Sequence, residues 1–321
     1  MKAFHLVSSR AWDDSTRFAC ALCSSLNNFG CEAEIKKIGF GTFARNFSLP
    51  ILLAKAIEKA NDDVAIHTYN IDDAYLALKA RKLYKGANRI KLVCSILHAQ
   101  PAPDNKLRAM IVDETDALLF SWENDKKIYL SGAASGKEKI SVIGSGVEIH
   151  TETQRDYSLA KLIFAGEITP ESHFDRLIKA LGELKDLDWT LEVCGEGRGN
   201  YVMPCIRTAR DRGINERINW RGEYNPDQLI NTSNIGVLPT PLQALEFMAN
   251  GLAVIALEGE MIQHEYNGII SNPDALEINL RRLISDKAMR QTLGKNAYLS
   301  CKENYNIEII SKRILDIYHK L

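Results

Sequence analysis

Short apolar runs alternate with segments of helical periodicity along the whole chain. In the first half, the runs KAFHLVSS, EAEIKKI, DVAIHTY, IKLVCSILH, DALLFS and KISVIG predict buried strands. After the first run, Phe18, Leu22 and Leu26 recur every four residues, and Gly30 is placed to end that helix. Strands that alternate with helices are typical of βαβ units, so the pattern predicts a parallel sheet covered by helices.

A polar stretch, EIHTETQRDYS, interrupts this alternation near the middle of the chain. Beyond it the pattern restarts, with AKLIFAG, WTLEVCG, RINWRG, NIGVLP and LAVIAL as predicted strands. We interpret the stretch as a linker between two doubly wound α/β domains, 1–156 and 157–303. Open parallel sheets bind ligands beyond the carboxyl ends of their strands, so two facing sheets predict a cleft that takes two substrates.

The last predicted helix, within 304–321, is amphipathic. Ile307, Ile310, Ile314 and Ile317 recur along one of its faces. An apolar face of this length must be buried against another part of the protein.

Composition and charge exclude several classes of protein. The 321 residues are 45% hydrophobic and 25% charged, as in ordinary globular proteins. With 40 basic against 41 acidic residues, the chain has no overall field to hold a nucleic-acid backbone, so no nucleic-acid partner is expected. We find neither a membrane-spanning run nor a signal peptide in the sequence, and therefore expect a cytoplasmic protein. The missing signal peptide also disfavours a periplasmic binding protein, which shares the architecture.

The cysteine content also favours a cytoplasmic protein. The seven cysteines are an odd number in a chain too large to need disulfides. Cys20 and Cys23 form a C-x-x-C pair inside a predicted helix, without a second pair at metal-site spacing. No metal site is therefore expected.

The segment NIGVLPTPLQALEFMANGLAVIAL carries the clearest local signal. Thr240 is a good N-cap, Pro241 suits the first helical position, Gln243 completes a capping box, and Gly251 is placed to end the helix. A strand that runs into a well-capped helix N-terminus is a natural anion site, and Glu246 lies one turn inside that helix. The alternative interpretation is an ordinary strand-to-helix turn.

The stretch from Lys161 to Ala297 resembles the donor domain of family 4 glycosyltransferases, which have the GT-B fold. The matching segments, in order, are LIFAGEITPESHFDRLIKAL, LEVCGEGRG, INWRGEYNPDQL, ALEFMANGLAVIA, HEYNGII and LGKNAYLS. The first half matches more loosely, through VCSILHAQP, LLFSWENDK and ISVIGSGVE.

This resemblance implies transfer of a sugar, with retention of configuration, from a nucleotide diphosphate donor to a glycan or lipid-linked acceptor. It implies no cofactor and no bound metal, and it implies that the final helix packs back onto the first, acceptor-side domain. Glu246 would hold the donor ribose, and His98 would face the donor sugar as the catalytic-site histidine. The matched donor-binding positions are Gly166, Glu167, Ser172, Gly195, Gly197, Arg221, Gly222, Thr240, Leu245 and Glu246.

Some positions depart from the family pattern. Glu167 and Ser172 stand where the family has the Arg and Lys that neutralise the donor pyrophosphate, and Leu238 replaces the first Glu of a Glu pair. A negative charge near the pyrophosphate opposes binding. Arg10, Arg198 and Arg207 are candidates to compensate.

Three hypotheses follow: an active but divergent glycosyltransferase, a catalytically silent relative that acts as a scaffold or partner, and another enzyme on the same fold, such as an epimerase or phosphorylase. Strand-end histidines are often structural, so structural roles remain open for both His98 and His67.

The run KARKLYKGANRIK adds a hypothesis about the acceptor side. Its basic residues are Lys79, Arg81, Lys82, Lys85, Arg89 and Lys91, with no acidic residue among them. Such a run can rest on anionic lipid, giving peripheral contact with a membrane; the alternative is a solvated helix face.

Overall fold

The chain forms two compact units in a computed structural model that describes residues 2–7, 14–37, 51, 63–83, 89–98, 105–131, 139–150 and 155–321. The first unit comprises Met1–Gly146 together with Tyr305–Leu321, and the second comprises Val147–Asn304. The division therefore falls ten residues before the boundary expected from the polar linker.

A parallel sheet forms the centre of the first unit. Its strands are β1 (Lys2–Val7), β2 (Glu32–Lys37), β3 (Val64–Thr68), β4 (Ile90–Ile96), β5 (Ala117–Phe120) and β6 (Ile140–Val142), in the order β2-β1-β3-β4-β5-β6. Before the second unit, the helices whose full extent the structure describes are α1 (Asp14–Asn28), α2 (Ile71–Leu83), α3 (Asn105–Glu114) and α4 (Glu123–Leu130). Strands β3 and β5 are buried along their whole length, because both faces of the sheet are covered.

The second unit is built on the same plan. Its strands are β7 (Ala160–Ala165), β8 (Trp189–Cys194), β9 (Ile218–Gly222), β10 (Ile235–Val237), β11 (Ala253–Ala256) and β12 (Ile269–Ile270). Its helices are α5 (Phe174–Gly182), α6 (Gly199–Asp211), α7 (Asp227–Thr232), α8 (Pro241–Ala249), α9 (Leu276–Ser285) and α10 (Lys287–Asn304). Two six-stranded parallel sheets with helices confirm the predicted doubly wound α/β class.

The strand order of the second sheet locates its ligand-binding edge. The order is β12-β11-β10-β7-β8-β9, with all pairings parallel, so the winding direction reverses between β7 and β10. Ligands of doubly wound sheets bind outside the carboxyl ends of the strands at this reversal. The segments that follow β7 and β10 are therefore the first place to look for a site in this unit.

The segment expected to link the domains is held by the second unit. The half-buried Arg155 guanidinium donates hydrogen bonds to carbonyl oxygens at the carboxyl ends of α7 and α8, including Ile230 at 2.7 Å and Asn250 at 2.9 Å. Arg290 donates to the Tyr157 carbonyl at 2.7 Å. Cations suit helix C-termini, because the last carbonyls have no partner within the helix. These bonds explain why residues before 157 already belong to the second unit.

The last helix, α11 (Ile307–Lys320), belongs to the first unit and contacts α1. Ile310, Ile314 and Tyr318 are fully buried, whereas Ile317 is only partly buried. The predicted apolar face is therefore corrected at its end: Tyr318, one turn beyond Ile314, is buried there instead of Ile317. Its ring is apolar, and its hydroxyl finds a partner inside the unit, as described below.

Candidate functional site

Backbone hydrogen bonds join the carboxyl ends of three neighbouring strands in the second unit. The amide of Gly166, after β7, donates to the Cys194 carbonyl at 2.8 Å. The amide of Gly195, after β8, donates to the Gly222 carbonyl, at the end of β9, at 2.7 Å. The three turns thus form one continuous rim beyond the sheet.

This rim leaves no room for a side chain at Gly195. Its φ is +149°, and a Cβ built there would lie 1.8 Å from the Gly166 carbonyl oxygen. Only glycine allows so close an approach of two backbones. The backbone geometry therefore requires glycine at position 195, whether or not a ligand binds there.

Helix α8 begins at the other side of the strand reversal. The Thr240 hydroxyl accepts from the Gln243 amide at 3.4 Å, and the Gln243 side chain accepts from the Thr240 amide at 3.2 Å, which confirms the predicted capping box. A Cβ on Gly166 would lie 3.4 Å from the side-chain amide of Gln243. The rim after β7 and the N-terminus of α8 are therefore in close contact.

Two features mark the segment that leads from β10 into α8. Gly236 in β10 leaves space for the Phe247 ring, which lies 2.2 Å from the position of a hypothetical Cβ. Leu238, just after β10, has a φ of +46°, in the left-handed region that leucine rarely adopts. Such strain is more frequent at functional sites than elsewhere.

Glu246 is partly exposed on α8, between Leu245 and Phe247, which are both fully buried. The helix therefore turns Glu246 away from the core in the second turn after the capped N-terminus. Because Leu245 is buried, its side chain supports the helix, and its contact with a donor stays a prediction.

The charge at this edge is mainly acidic. Glu167, Glu196 and Glu223, which follow β7, β8 and β9 respectively, are all exposed. The exposed Arg198, directly after the rim, has no ion-pair partner among the residues described. Arg221 differs, because its guanidinium pairs with the Glu192 carboxylate at 2.7 Å, and this pairing raises the pKa of Arg221.

The remaining predicted positions have local partners. The Ser172 hydroxyl donates to the Thr169 carbonyl at 2.8 Å, and accepts from the Thr169 amide at 3.2 Å. A Cβ on Gly197 would lie 2.0 Å from the Ile168 carbonyl oxygen, so this position also needs glycine. Of the compensating arginines, Arg198 lies at the carboxyl edge and Arg207 lies well along α6, while Arg10 is outside the described residues.

The first unit places His98 two residues after β4, with its side chain 53% exposed. Its Nδ1 lies 3.7 Å from Oδ1 of Asp125, whose side chain is 6% exposed. Sequence reasoning missed Asp125; its place in the first turn after the adjacent strand was the available signal.

The other histidine that the sequence analysis considered, His67, is completely buried in the first unit. Its Nδ1 shares a hydrogen bond of 2.6 Å with the Tyr318 hydroxyl of α11, and its Nε2 shares one of 2.7 Å with the Ser95 hydroxyl. The adjacent His5 is also buried and is bonded through Nδ1 to the Tyr69 hydroxyl. Burial lowers the pKa of His5 to about 3, and burial together with His5 lowers the pKa of His67. His67 therefore has a structural role.

The basic run is largely engaged in intramolecular contacts where the structure describes it. Arg81 pairs with Asp116 at 2.5 Å and Lys82 with Glu114 at 2.7 Å, whereas Lys85 lies outside the described residues. These pairs favour the solvated-face interpretation for α2. No helix in the described part of the chain has the length and hydropathy to cross a bilayer.

The described residues contain no group of three or more candidate metal ligands. Cys20 is exposed and Cys23 is buried in α1, both as free thiols. Burial, as the main cause, raises the pKa of the Cys23 thiol, so this thiol is a poor nucleophile.

The second unit matches a known family. Residues 147–300 match the family described as glycosyl transferases group 1. An uncharacterized glycosyltransferase of Methanocaldococcus jannaschii is 25% identical over 276 residues, which cover 81% of this chain and 64% of that relative. The match thus spans less than two thirds of the relative's length.

Solved structures resemble the whole chain at low identity. A glycosyltransferase of Rickettsia africae has a TM-score of 0.79 at 16% identity, covering 99% of this chain and 98% of that one. HepE of Anabaena, in complex with UDP-glucose, has a TM-score of 0.81 at 14% identity, with both chains covered completely. The sucrose-phosphate synthase of Thermosynechococcus elongatus has a TM-score of 0.78 at 15% identity, covering 99% and 98%. Residues 147–300 are therefore similar to the glycosyl transferases group 1 family, and the chain has the GT-B fold.

Proposed function

We propose that this protein is a glycosyltransferase that uses a nucleoside diphosphate sugar as donor. The observation that carries the proposal is the carboxyl edge of the second sheet, within the part that matches the family. There the rim after β7 meets the capped N-terminus of α8 at the point where the winding reverses. HepE of Anabaena, which has this fold, is solved with UDP-glucose.

Different residues at this edge would bind different parts of the donor. Pro241 has no N–H, and the Thr240 and Gln243 amides are used by the capping box, so the Leu242 amide is the donor that the first turn of α8 offers to phosphate, in a place where the helix dipole favours an anion. Glu246, partly exposed one turn further, suits a pair of ribose hydroxyls, since a carboxylate accepts two hydrogen bonds at once. Arg198 supplies the positive charge that Glu167 does not.

Replacing Glu246 with alanine is expected to weaken binding of the donor by about 10- to 100-fold, the range for loss of charged hydrogen bonds. Isothermal titration calorimetry with a panel of nucleoside diphosphate sugars, including UDP-glucose, measures the effect. The matched control is Glu216→Ala, which removes an exposed carboxylate from the turn preceding β9, at the opposite edge of the sheet. Equal affinity of the Glu246→Ala and wild-type proteins would remove Glu246 from the site.

Replacing Glu167 with arginine is expected to tighten donor binding about 3- to 10-fold, because repulsion of the pyrophosphate becomes attraction at an exposed position. The gain should shrink as salt is added. Glu216→Arg makes the same change of charge at the amino edge and should leave the affinity within about twofold. If both substitutions have the same effect, the charge acts through the overall field and Glu167 does not line the donor site.

The acidic residues at this edge favour a second candidate function, that of a catalytically silent relative that acts as a scaffold or partner subunit. Glu167, Glu196 and Glu223 together disfavour a pyrophosphate there. Calorimetry separates the two functions, because a scaffold binds none of the nucleotide sugars at millimolar concentration.

The finer features of the reaction are part of the same proposal. We propose retention of configuration, no cofactor, a glycan or lipid-linked acceptor, and a role in surface polysaccharide or glycoconjugate assembly, as the family resemblance implies. Peripheral contact of the Lys79–Lys91 run with anionic lipid stays a prediction, and the ion pairs of Arg81 and Lys82 weaken it.

A further inference from the structure

A histidine and an aspartate meet at the carboxyl edge of the sheet in the first unit. His98 follows β4, and Asp125 lies in the first turn of α4, which follows β5. Because β4 and β5 are parallel neighbours, with Ile96 opposite Phe120 at their ends, the two side chains meet. His98 Nδ1 is 3.7 Å from Asp125 Oδ1.

The two partners differ sharply in exposure. The Asp125 side chain is 6% exposed, whereas that of His98 is 53% exposed. The carboxylate therefore lies behind the imidazole, and Nδ1 is the ring nitrogen that faces it. In the part of the chain that the structure describes, no hydrogen bond joins another group to Nε2 of His98.

An ionised carboxylate can only accept hydrogen bonds, so it favours the proton of the neutral ring on Nδ1. The distance is longer than a hydrogen bond, but such bonds in active sites often tighten only when substrate binds. We propose that Asp125 is a positioning residue, which holds His98 as the Nδ1–H tautomer so that Nε2 accepts a hydrogen bond from a hydroxyl group of the sugar substrate. This inference rests on the proposed function.

The competing explanation is that Asp125 serves only α4. A carboxylate in the first turn favours the positive end of the helix dipole, whatever lies beside it. Asparagine keeps the size of the side chain and its local hydrogen bonding while removing the charge. Asp125→Asn removes the charge on which both roles depend, so the measurement separates them: loss of the dipole interaction changes stability alone, whereas loss of positioning changes the His98 tautomer.

The test uses the full chain and two measurements. The ¹⁵N chemical shifts of the His98 ring, identified by their loss in His98→Gln, report the tautomer. Steady-state kinetics with the donor found by calorimetry report kcat and KM. In Asp125→Asn we expect the Nδ1–H signature to be lost and kcat to fall on the order of 10- to 100-fold, with KM within about twofold. Asp125→Glu should recover part of kcat.

Glu123→Gln is the matched control, because Glu123 is in the same turn of α4 and pairs with Lys126 at 3.3 Å. It should change neither measurement. An Asp125→Asn protein with an unchanged His98 tautomer and kcat within about twofold of wild type would overturn the inference. If the wild-type chain binds no donor, the proposed function fails, and the ring shifts alone still decide whether Asp125 sets the tautomer.

Discussion

Replacing Gly195 with alanine is expected to destabilise the second unit by about 3 kcal/mol or more. The new Cβ would lie 1.8 Å from the Gly166 carbonyl oxygen, and the φ of +149° is itself unfavourable for alanine. Relief requires the turns after β7 and β8 to separate, which breaks the hydrogen bonds that join them. In thermal unfolding, a loss of this size lowers the midpoint of the second unit by about 6–12 °C.

Gly199→Ala is the matched control, because Gly199 begins α6 and a Cβ there would meet nothing within 4 Å. Alanine is the better helix former, so this variant should equal or exceed the wild-type midpoint. A Gly195→Ala protein that unfolds at the wild-type temperature would show that the rim does not have the described geometry.

Lowering the pH from 7 to 5 is expected to cost the first unit about 2 kcal/mol of unfolding free energy from His5, and His67 adds a loss in the same direction. Both side chains are fully buried, which lowers the pKa of His5 to about 3 and that of His67 below its ordinary value. The unfolded chain takes up protons near pH 6.5, whereas the folded unit does not. The stability contributed by the neutral rings is therefore present above pH 6.5 and is lost as the pH falls below it.

Urea unfolding at several pH values between 7 and 5 measures this dependence, in a range where most carboxylates remain ionised. His67→Gln removes one titrating ring and should reduce the slope of unfolding free energy against pH. Tyr318→Phe removes only the hydrogen bond to His67, so it should lower stability by about 1 kcal/mol with the slope retained. Identical slopes in the wild-type and His67→Gln proteins would contradict the assignment of this titration to His67.

The sequence predicted the architecture well because periodicity reports burial. Buried strands such as β5 and β11 are uninterrupted apolar runs, and the cap of α8 is a local motif of Thr240, Pro241 and Gln243. Such features depend only on residues that are close in sequence, so they can be predicted without knowledge of the fold.

Features that depend on distant partners could not be read in this way. The pairing of His98 with Asp125 requires the register of β4 and β5, and the burial of Tyr318 requires His67, which is 251 positions away in sequence. The early start of the second unit depends on Arg155 reaching carbonyls about 75 to 95 residues further along. An arginine in a polar stretch gives no local sign of such a role.

The order of the units along the chain has a consequence for synthesis on the ribosome. The first unit is completed by Tyr305–Leu321, which emerges only after all of Val147–Asn304. Until then, the α1 surface that α11 contacts and the ring nitrogen of His67 that bonds Tyr318 lack their partners. The second unit, encoded in one continuous stretch, can fold first. The nascent first unit therefore remains open to chaperones and proteases until Tyr305–Leu321 has emerged.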